Sequence, residues 1–130
     1  MRISLVTVFV EDQEKAKQFY TQKLGMKVKD DASYGPEMRW LTVVSPEDQD
    51  GLELFLALDT SYPGATDFRK KMYAEKKAIL GIQTMNIDAD YRALKAKGVV
   101  FEMEPTKQGY GGTDALIDDG CGNYINLHQE

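Results

Sequence analysis

The order of predicted secondary structure occurs twice along this 130-residue chain. In each half, a strand rich in β-branched residues is followed by an acidic or amide helix cap, a helix, a terminating glycine and three further strands. The two helical segments, Asp12 to Gly25 and Asn86 to Gly98, differ in length by one residue. Because such a repeat defines the architecture of both halves together, we predict an α+β fold made of two βαβββ modules.

Glycine, proline and polar turn residues set the predicted boundaries. The first module spans 1–57, a linker spans 58–77, and the second module spans 78–130. Pro63 and Gly64 interrupt the linker, which then has a weak helical pattern over 66–76. Strands are predicted at 3–10, 26–29, 39–45 and 52–57 in the first module, and at 78–85, 99–103, 113–117 and 124–128 in the second.

Charge and cysteine content narrow the possible partners and compartments. The formal net charge is -5, and an acidic surface repels phosphate backbones, which argues against a nucleic-acid partner. The basic stretch Arg69–Lys77 is interpreted as the solvated face of a short helix. No apolar run has the length of a membrane span, and the single cysteine, Cys121, cannot form an internal disulfide. A cytoplasmic location with no membrane partner is therefore the default expectation.

Three stretches are similar to a known family. Residues 10–20, VEDQEKAKQFY, with the later LGM of 24–26, resemble the pattern V-x-D-x-x-K-A-x-x-F-Y followed by L-G-F that opens a vicinal oxygen chelate module. Residues 93–99, ALKAKGV, resemble the family's L-K-A-K-G-V, and residues 119–127, DGCGNYINL, resemble its closing D-P-x-G-N-x-I-x-L. Gly120 replaces the usual proline. The chain thus resembles the vicinal oxygen chelate superfamily, the glyoxalase/bleomycin-resistance group, along its whole length.

The resemblance implies two cup-like sheets that enclose a pocket, and frequent dimerisation. In metal-dependent members, the first and last strands of each module supply His, Glu or Gln ligands to a divalent ion. Register from the helix caps puts Leu5 and about Ile79 at the first-strand positions, with Glu53 and Asn126 at the last-strand positions. Aliphatic side chains cannot bind a cation, and one carboxylate with one amide falls short of the usual three ligands. We therefore expect no metal and no cofactor, although Gln83 or His128 would supply a further ligand if the register slipped.

Strand alternation predicts a pocket of mixed character. Trp40 shares one face of its strand with Met38 and Thr42, and Glu53 shares a face with Phe55. The glycine-rich stretch 109–112 comes before a strand rather than a helix, so a nucleotide loop does not fit, but Tyr110 can border the pocket. The predicted ligand-binding residues are Trp40, Glu53, Phe55, Tyr110 and Asn126. The alternatives are that Trp40 and Phe55 fill a closed cup, that Glu53 reaches solvent, and that Tyr110 belongs to a flexible hairpin.

Three functional hypotheses follow. The leading one is a glyoxalase/bleomycin-resistance-like protein that binds a small molecule in a metal-free pocket, as a homodimer. The second is a divalent-metal-dependent lyase, dioxygenase or epimerase of the same superfamily, so the sequence leaves open whether the protein is an enzyme. The third is a dimeric interaction protein with a filled pocket. A nucleophilic role for Cys121 would need a base nearby, and His128 is the only histidine available.

Overall fold

Eight strands form two four-stranded mixed sheets in the computed structural model, which describes residues 1–36 and 38–130. Sheet one has the order β1-β4-β3-β2 and sheet two the order β5-β8-β7-β6, so each sheet is built from one half of the chain. In each sheet the first and last strands pair in parallel and the other pairs are antiparallel. The strands are β1 (Leu5–Val10), β2 (Lys27–Ser33), β3 (Arg39–Val44), β4 (Glu53–Leu58), β5 (Ala78–Gln83), β6 (Val100–Lys107), β7 (Thr113–Asp118) and β8 (Tyr124–Gln129). The repeated βαβββ architecture and the α+β class are confirmed.

The helices begin where the capping residues predict. The Asp12 carboxylate accepts a hydrogen bond from the Lys15 backbone N–H at 3.0 Å, at the start of α1 (Gln13–Gln18), which continues as a π-helical turn over Phe19–Lys23. The Asn86 side chain accepts from the Ala89 N–H at 3.0 Å, before α3 (Ile87–Ala96). The linker contains a 3-10 turn (Asp59–Ser61) and α2 (Ala65–Ala74). No helix in the two described ranges is long and apolar enough to span a membrane.

A single hydrophobic core connects the two halves. It buries the faces of sheet one and sheet two that carry aliphatic side chains, together with Ala16 and Tyr20 from the first helical segment and Ile87 and Leu94 from α3. The buried strand residues of this core are Val8, Val10, Leu41, Val43, Leu56, Ala115, Ile117, Ile125 and Leu127. Burial of such side chains is the main stabilising term of folding. The opposite face of each sheet is therefore left for other chemistry.

A buried carboxylate holds the β7–β8 turn against the first half. Asp119 accepts hydrogen bonds from the Tyr20 hydroxyl at 2.9 Å and from the backbone N–H groups of Cys121 and Asn123 at 2.7 and 3.0 Å. Asn123 donates in turn to the Phe9 carbonyl of β1 at 2.8 Å. Burial raises the pKa of the Tyr20 hydroxyl well above its usual range, and the Asp119 carboxylate raises it further. This turn corresponds to the closing motif DGCGN, whose polar residues are thus structural.

Arg69 corrects the interpretation of the basic stretch as solvated. Its side chain is only 5% exposed, and its Nε donates to an Asp59 carboxylate that is 3% exposed, at 2.9 Å. Nη1 donates to the Gly122 carbonyl at 3.2 Å, and Nη2 lies 3.7 Å from a Glu11 carboxylate oxygen. A Cβ on Gly122 would lie 1.9 Å from Arg69 Nη1, so this contact requires glycine. Helical spacing alone could not show that a linker arginine is buried at the junction of the two halves.

Two strands extend four residues beyond their predicted ends. β2 was expected over 26–29 and spans Lys27–Ser33, and β6 was expected over 99–103 and spans Val100–Lys107. The added parts, Asp30 to Ser33 and Glu104 to Lys107, have polar residues with little intrinsic strand preference. Pairing with β3 and β7 supplies the hydrogen bonds that extend these strands.

Candidate functional site

Aromatic rings cover the side of sheet one that faces away from the core. This surface, here called the aromatic face, comprises Thr7, Phe9, Trp40, Thr42, Glu53 and Phe55. Trp40 and Phe55 stack with ring centroids 4.3 Å apart and an interplanar angle of 28°. The ring of Tyr62, from the linker, is tilted against that of Phe9 with centroids 5.6 Å apart, and makes a T-shaped contact with that of Phe55 with centroids 6.4 Å apart. Phe55 is buried, whereas Trp40 and Phe9 are half-buried. The packed rings therefore leave part of Trp40 and part of Phe9 accessible.

Glu53 is the acidic group on the aromatic face. Its Oε1 accepts from the Thr42 hydroxyl at 3.0 Å, and its Oε2 lies 3.7 Å from the Lys29 ammonium. The Glu53 side chain is 22% exposed, so it is neither sealed in the core nor free in solvent. The predicted inward orientation is consistent with this geometry, because Glu53 pairs with Val44 and Leu5 at the start of β4 while Phe55 pairs with Thr42.

The corresponding side of sheet two is polar. This surface, here called the carboxylate face, comprises Asp114, Leu116, Asp118, Tyr124, Asn126 and His128. Asp114 Oδ1 lies 2.5 Å from His128 Nδ1, and Asp114 Oδ2 accepts a hydrogen bond from the Tyr110 hydroxyl. Burial alone would raise the pKa of Asp114, but hydrogen bonds from Tyr110, His128 and Asn126 outweigh it and lower that pKa. No role could be predicted for Asp114, because nothing in its local sequence pattern indicates where His128 lies.

A second aromatic pair borders the carboxylate face. Tyr73 of α2 stacks on Tyr124 with centroids 4.5 Å apart and planes 6° from parallel, and its hydroxyl donates to Asp118 at 2.5 Å. This hydrogen bond is the main reason why the pKa of Tyr73 is raised. The linker therefore contacts both faces, through Tyr62 on sheet one and Tyr73 on sheet two.

A cleft of about 330 Å³ lies beneath α2 and extends from β1 to β5. Thr7 and Phe9 line it from the aromatic face, Phe68 and Met72 from α2, and Ile79 from β5. Phe9 therefore belongs both to the stacked aromatic cluster and to a cleft large enough for a small molecule. Alternation along β1 had placed Phe9 and Thr7 on one face, but the linker side of this cleft was not predicted.

The donor set at the expected metal positions does not fit a divalent ion. Leu5 pairs directly with Glu53, as the register from Asp12 predicts. In sheet two the partner of Asn126 is Gly81 rather than Ile79, and the shift in the β5–β8 register between Ala78 and Leu80 accounts for one residue of this difference. Glycine has no side-chain donor either. Within residues 1–36 and 38–130, no three His, Cys, Asp or Glu side chains come close enough to hold an ion together.

The structure brings the five predicted ligand-binding residues together as two groups. Trp40, Phe55 and Glu53 share the aromatic face, whereas Tyr110 and Asn126 meet at Asp114 on the carboxylate face. Tyr110 is 72% exposed, which agrees equally with a pocket border and with a hairpin.

Cys121 is poorly suited to nucleophilic chemistry. Its side chain is 1% exposed, inside the β7–β8 turn. Burial, with smaller effects from nearby carboxylates, raises the pKa of its thiol to about 12, whereas an attacking cysteine needs a thiolate.

Known proteins share the fold of this chain. The model of the Glyoxalase/Bleomycin resistance protein/Dioxygenase superfamily matches residues 2–127. YurT of Bacillus subtilis (strain 168) is 43% identical over 130 residues, covering 100% of both chains. The crystal structure of UcmS2 has a TM-score of 0.84 at 36% identity, covering 98% of this chain and 97% of that one. TnmS3, an antibiotic binding protein from Streptomyces sp. CB03234, has a TM-score of 0.76 at 30% identity, covering 99% and 95%. The chain therefore belongs to the Glyoxalase/Bleomycin resistance protein/Dioxygenase superfamily.

Proposed function

We propose that this protein binds a small, partly aromatic or amphipathic molecule in a metal-free pocket formed by Trp40, Glu53, Phe55, Tyr110 and Asn126. The observation that carries the proposal is the stack of half-buried Trp40 on buried Phe55 at 4.3 Å. A ring held rigidly on one side offers its other side to a planar ligand at little entropic cost. Such aromatic pairs add about 0.5–1.5 kcal/mol beyond the burial of their area.

The metal-free part of the proposal rests on the donor set. Leu5 and Gly81 occupy the first-strand positions opposite Glu53 and Asn126, so each half offers one oxygen-bearing side chain where a catalytic site needs about three ligands. Glu53 is already engaged by Thr42 and Lys29. Binding without catalysis is therefore favoured over the metal-dependent lyase, dioxygenase or epimerase reaction of other members.

The charge distribution favours a ligand with a cationic group. The chain has a formal net charge of -5, and Asp114 and Asp118 lie on the carboxylate face. A field of this sign attracts cations and repels anions. The similarity to TnmS3, an antibiotic binding protein, supports a small molecule as the ligand.

A homodimer would complete the pocket. The two groups of predicted residues lie on different sheets, and a second copy can bring one chain's aromatic face opposite the other's carboxylate face. Apolar side chains are exposed near the beginnings of β1 and β4, where Ile3, Leu5 and Val6 are 79%, 39% and 37% exposed and Leu52 is 44% exposed. Exposed apolar side chains are typical of an interface where they form a patch.

The test is a ligand panel measured by thermal denaturation and then by calorimetry. Planar aromatic compounds with cationic, neutral and anionic substituents are compared, and a binder raises the melting temperature in proportion to ln(1 + [L]/Kd). Trp40→Ala should weaken the best binder by about tenfold or more, which corresponds to the loss of about 1.4 kcal/mol. Tyr91→Ala, on α3 behind sheet two, is the matched aromatic control and should leave affinity unchanged.

Three outcomes would contradict the proposal. A panel that produces no stabilisation would remove the binding function, and equal loss of affinity in the Trp40 and Tyr91 variants would place the ligand elsewhere. A stoichiometric Zn, Ni, Mn or Fe ion in purified protein, lost in Glu53→Gln, would favour the metal-dependent alternative. Sedimentation equilibrium tests the dimer separately, because a monomer at micromolar concentration would leave the two faces apart.

A further inference from the structure

Asp114 and His128 form a hydrogen-bonded pair that neither the family comparison nor the predicted pocket uses. His128 Nδ1 lies 2.5 Å from Asp114 Oδ1, and a carboxylate is an acceptor only, so the ring nitrogen is the donor. The second Asp114 oxygen is occupied by the Tyr110 hydroxyl. The carboxylate is thus held from two sides and fixes the proton of the neutral imidazole on Nδ1.

The other ring nitrogen is left available. Within the two described ranges, Nε2 has no hydrogen-bond partner, and the His128 side chain is 28% exposed. A Cβ on Gly112 would lie 2.8 Å from His128 Cε1 and 3.4 Å from Nε2, so the loop packs against this edge of the ring only because residue 112 is glycine, and a side chain there would collide with it. The main chain at His128 is held in place, because the Thr84 N–H donates to the His128 carbonyl at 2.8 Å.

We propose that Asp114 and His128 form a proton-accepting site on the carboxylate face, which takes the proton of a weakly acidic hydroxyl, such as a phenol or an enol. In this step the O–H bond of the bound molecule breaks, its electron pair stays on oxygen, and an N–H bond forms at Nε2. The resulting imidazolium is balanced by the Asp114 carboxylate. A carboxylate at one ring nitrogen fixes the tautomer and the orientation of the ring, so the lone pair lies on the other nitrogen, which is the arrangement that histidine bases use.

The neighbours of the pair support this assignment. Tyr110 and Asp114 are the titratable groups that contact His128 directly or through one hydrogen bond, and Asn126 lies between His128 and Tyr124 on the same strand face. Hydrogen bonding from the Asn126 side chain also lowers the pKa of Asp114, so the carboxylate that orients the imidazole is itself held by a third partner.

The first experiment follows the histidine itself. Because the chain has one histidine, long-range ¹H–¹⁵N spectra contain a single imidazole and report its tautomer without assignment. The pair predicts the Nδ1–H tautomer for the neutral ring in the wild-type protein. Finding the Nε2–H tautomer would overturn the proposal, because Nε2 would then have no lone pair to accept a proton.

The second experiment measures the reactivity of Nε2 with diethyl pyrocarbonate, followed by mass spectrometry at His128. Asp114→Asn keeps the shape of the side chain, but an amide can donate to Nδ1 as well as accept from it. The neutral ring is then no longer held with its lone pair on Nε2, and acylation should slow by about threefold or more. Asp31→Asn, which removes an ion-paired carboxylate from sheet one, is the matched control and should react at the wild-type rate. Equal rates in all three proteins would refute a dyad, and melting curves verify that each variant is folded.

The ligand class is tested with two probes that differ only at the oxygen, where a methyl group replaces the hydroxyl hydrogen. 1-Naphthol should shift the His128 imidazole resonances at millimolar concentration, whereas 1-methoxynaphthalene should not. Shifts that are equal for both probes, or absent for both, would refute the hydroxyl ligand and leave the reactivity result standing. None of these readouts requires the proposed pocket ligand, so failure of the proposed function and failure of this inference remain distinguishable.

Discussion

The aromatic face and the carboxylate face are built on equivalent sheets yet carry opposite chemistry. Sheet one presents Trp40 stacked on Phe55, with Glu53 tied to Thr42. Sheet two presents Asp114 paired with His128, and Asp118 accepting from Tyr73. Their core-facing sides are alike, since both are lined by buried aliphatic residues. The repeat therefore conserves packing while the face turned away from the core is free to change.

Under the proposed function, the aromatic face would supply contact area to a ligand and the carboxylate face would bind its polar groups. Aromatic rings provide contact area but do little to orient a bound molecule, whereas carboxylates and an imidazole orient it through hydrogen bonds. Function in a repeated fold thus lies in the divergence between its halves rather than in the fold itself. The following predictions test this comparison, first by breaking the junction on which both faces depend.

Arg69→Ala should have the largest effect. The guanidinium joins Asp59 to the Gly122 carbonyl, and its removal leaves a carboxylate that is 3% exposed without its cation. Breaking a buried ion pair in this way costs about 3–5 kcal/mol in the free energy of unfolding. Urea denaturation measures it, and Lys70→Ala, on the exposed side of the same helix, should change stability by less than about 0.5 kcal/mol. If the two variants behaved alike, the linker would not hold the halves together.

Phe55→Ala tests whether the aromatic face is part of the stabilising core. Phe55 is 6% exposed and contacts both Trp40 and Tyr62. Truncating a buried phenylalanine costs about 3–5 kcal/mol, through lost burial and the cavity that remains. Phe55→Leu keeps most of the volume and should cost clearly less in the same chemical denaturation. A loss below about 1 kcal/mol for the alanine variant would mean that the face is a surface feature, open to ligand without a structural role.

The fold could be predicted from the sequence because its signals are local or periodic. Asp12 and Asn86 mark the helix starts, and Gly25 and Gly98 end these segments with φ values of +78° and +87°. Alternation correctly grouped Trp40 with Thr42 and Glu53 with Phe55. The family resemblance added the arrangement of the two sheets, which periodicity alone does not determine.

The rest depends on contacts between residues far apart in sequence. The burial of Arg69 needs a turn 53 residues later, and the pairing of His128 with Asp114 needs the register of two strands. The residue opposite Asn126 was predicted to be about Ile79 and is Gly81, and an irregularity between Ala78 and Leu80 accounts for one residue of this difference. The grouping of Trp40 or Glu53 with Asn126 in one pocket stays a prediction.

Asp114→Asn should affect the carboxylate face less than Phe55→Ala affects the aromatic one. The amide keeps the shape of the side chain but lacks the charge to which Tyr110 and His128 donate hydrogen bonds. We expect the free energy of unfolding to fall by about 1 kcal/mol. Since the pKa of Asp114 is lowered in the folded protein, its contribution is present above the ordinary carboxylate pKa and disappears as the pH falls through the lowered value. Urea midpoints from neutral to acidic pH would show this. A cost as large as that of Phe55→Ala would remove the contrast between the faces.

Asp31→Asn should have the smallest effect, because its carboxylate lies at the solvent-exposed edge of sheet one. Arg39 donates to it through Nε at 2.8 Å and Nη2 at 2.9 Å, and Lys17 through Nζ at 2.8 Å. Hydrogen bonds from Arg39 first and Lys17 second lower the pKa of Asp31 well below its usual range. The unfolded chain therefore binds the proton more readily, so the stabilisation is complete above about pH 4 and is lost only as the pH falls through the lowered native pKa.

Exposed ion pairs contribute little, so the loss at neutral pH should be about 0.5–1 kcal/mol and should shrink in high salt. Asp30→Asn, at the next residue, is the control, because Asp30 forms no ion pair with the residues that the structure describes. The two variants should differ at neutral pH and converge in strong acid, where both carboxylates are protonated. A difference that persisted in acid would mean that Asp31 acts through shape rather than charge. The polar edge of sheet one would then be stabilised by packing, as its aromatic face is. The contrast with the charge-based contacts of sheet two would then hold for the edge as well as for the face.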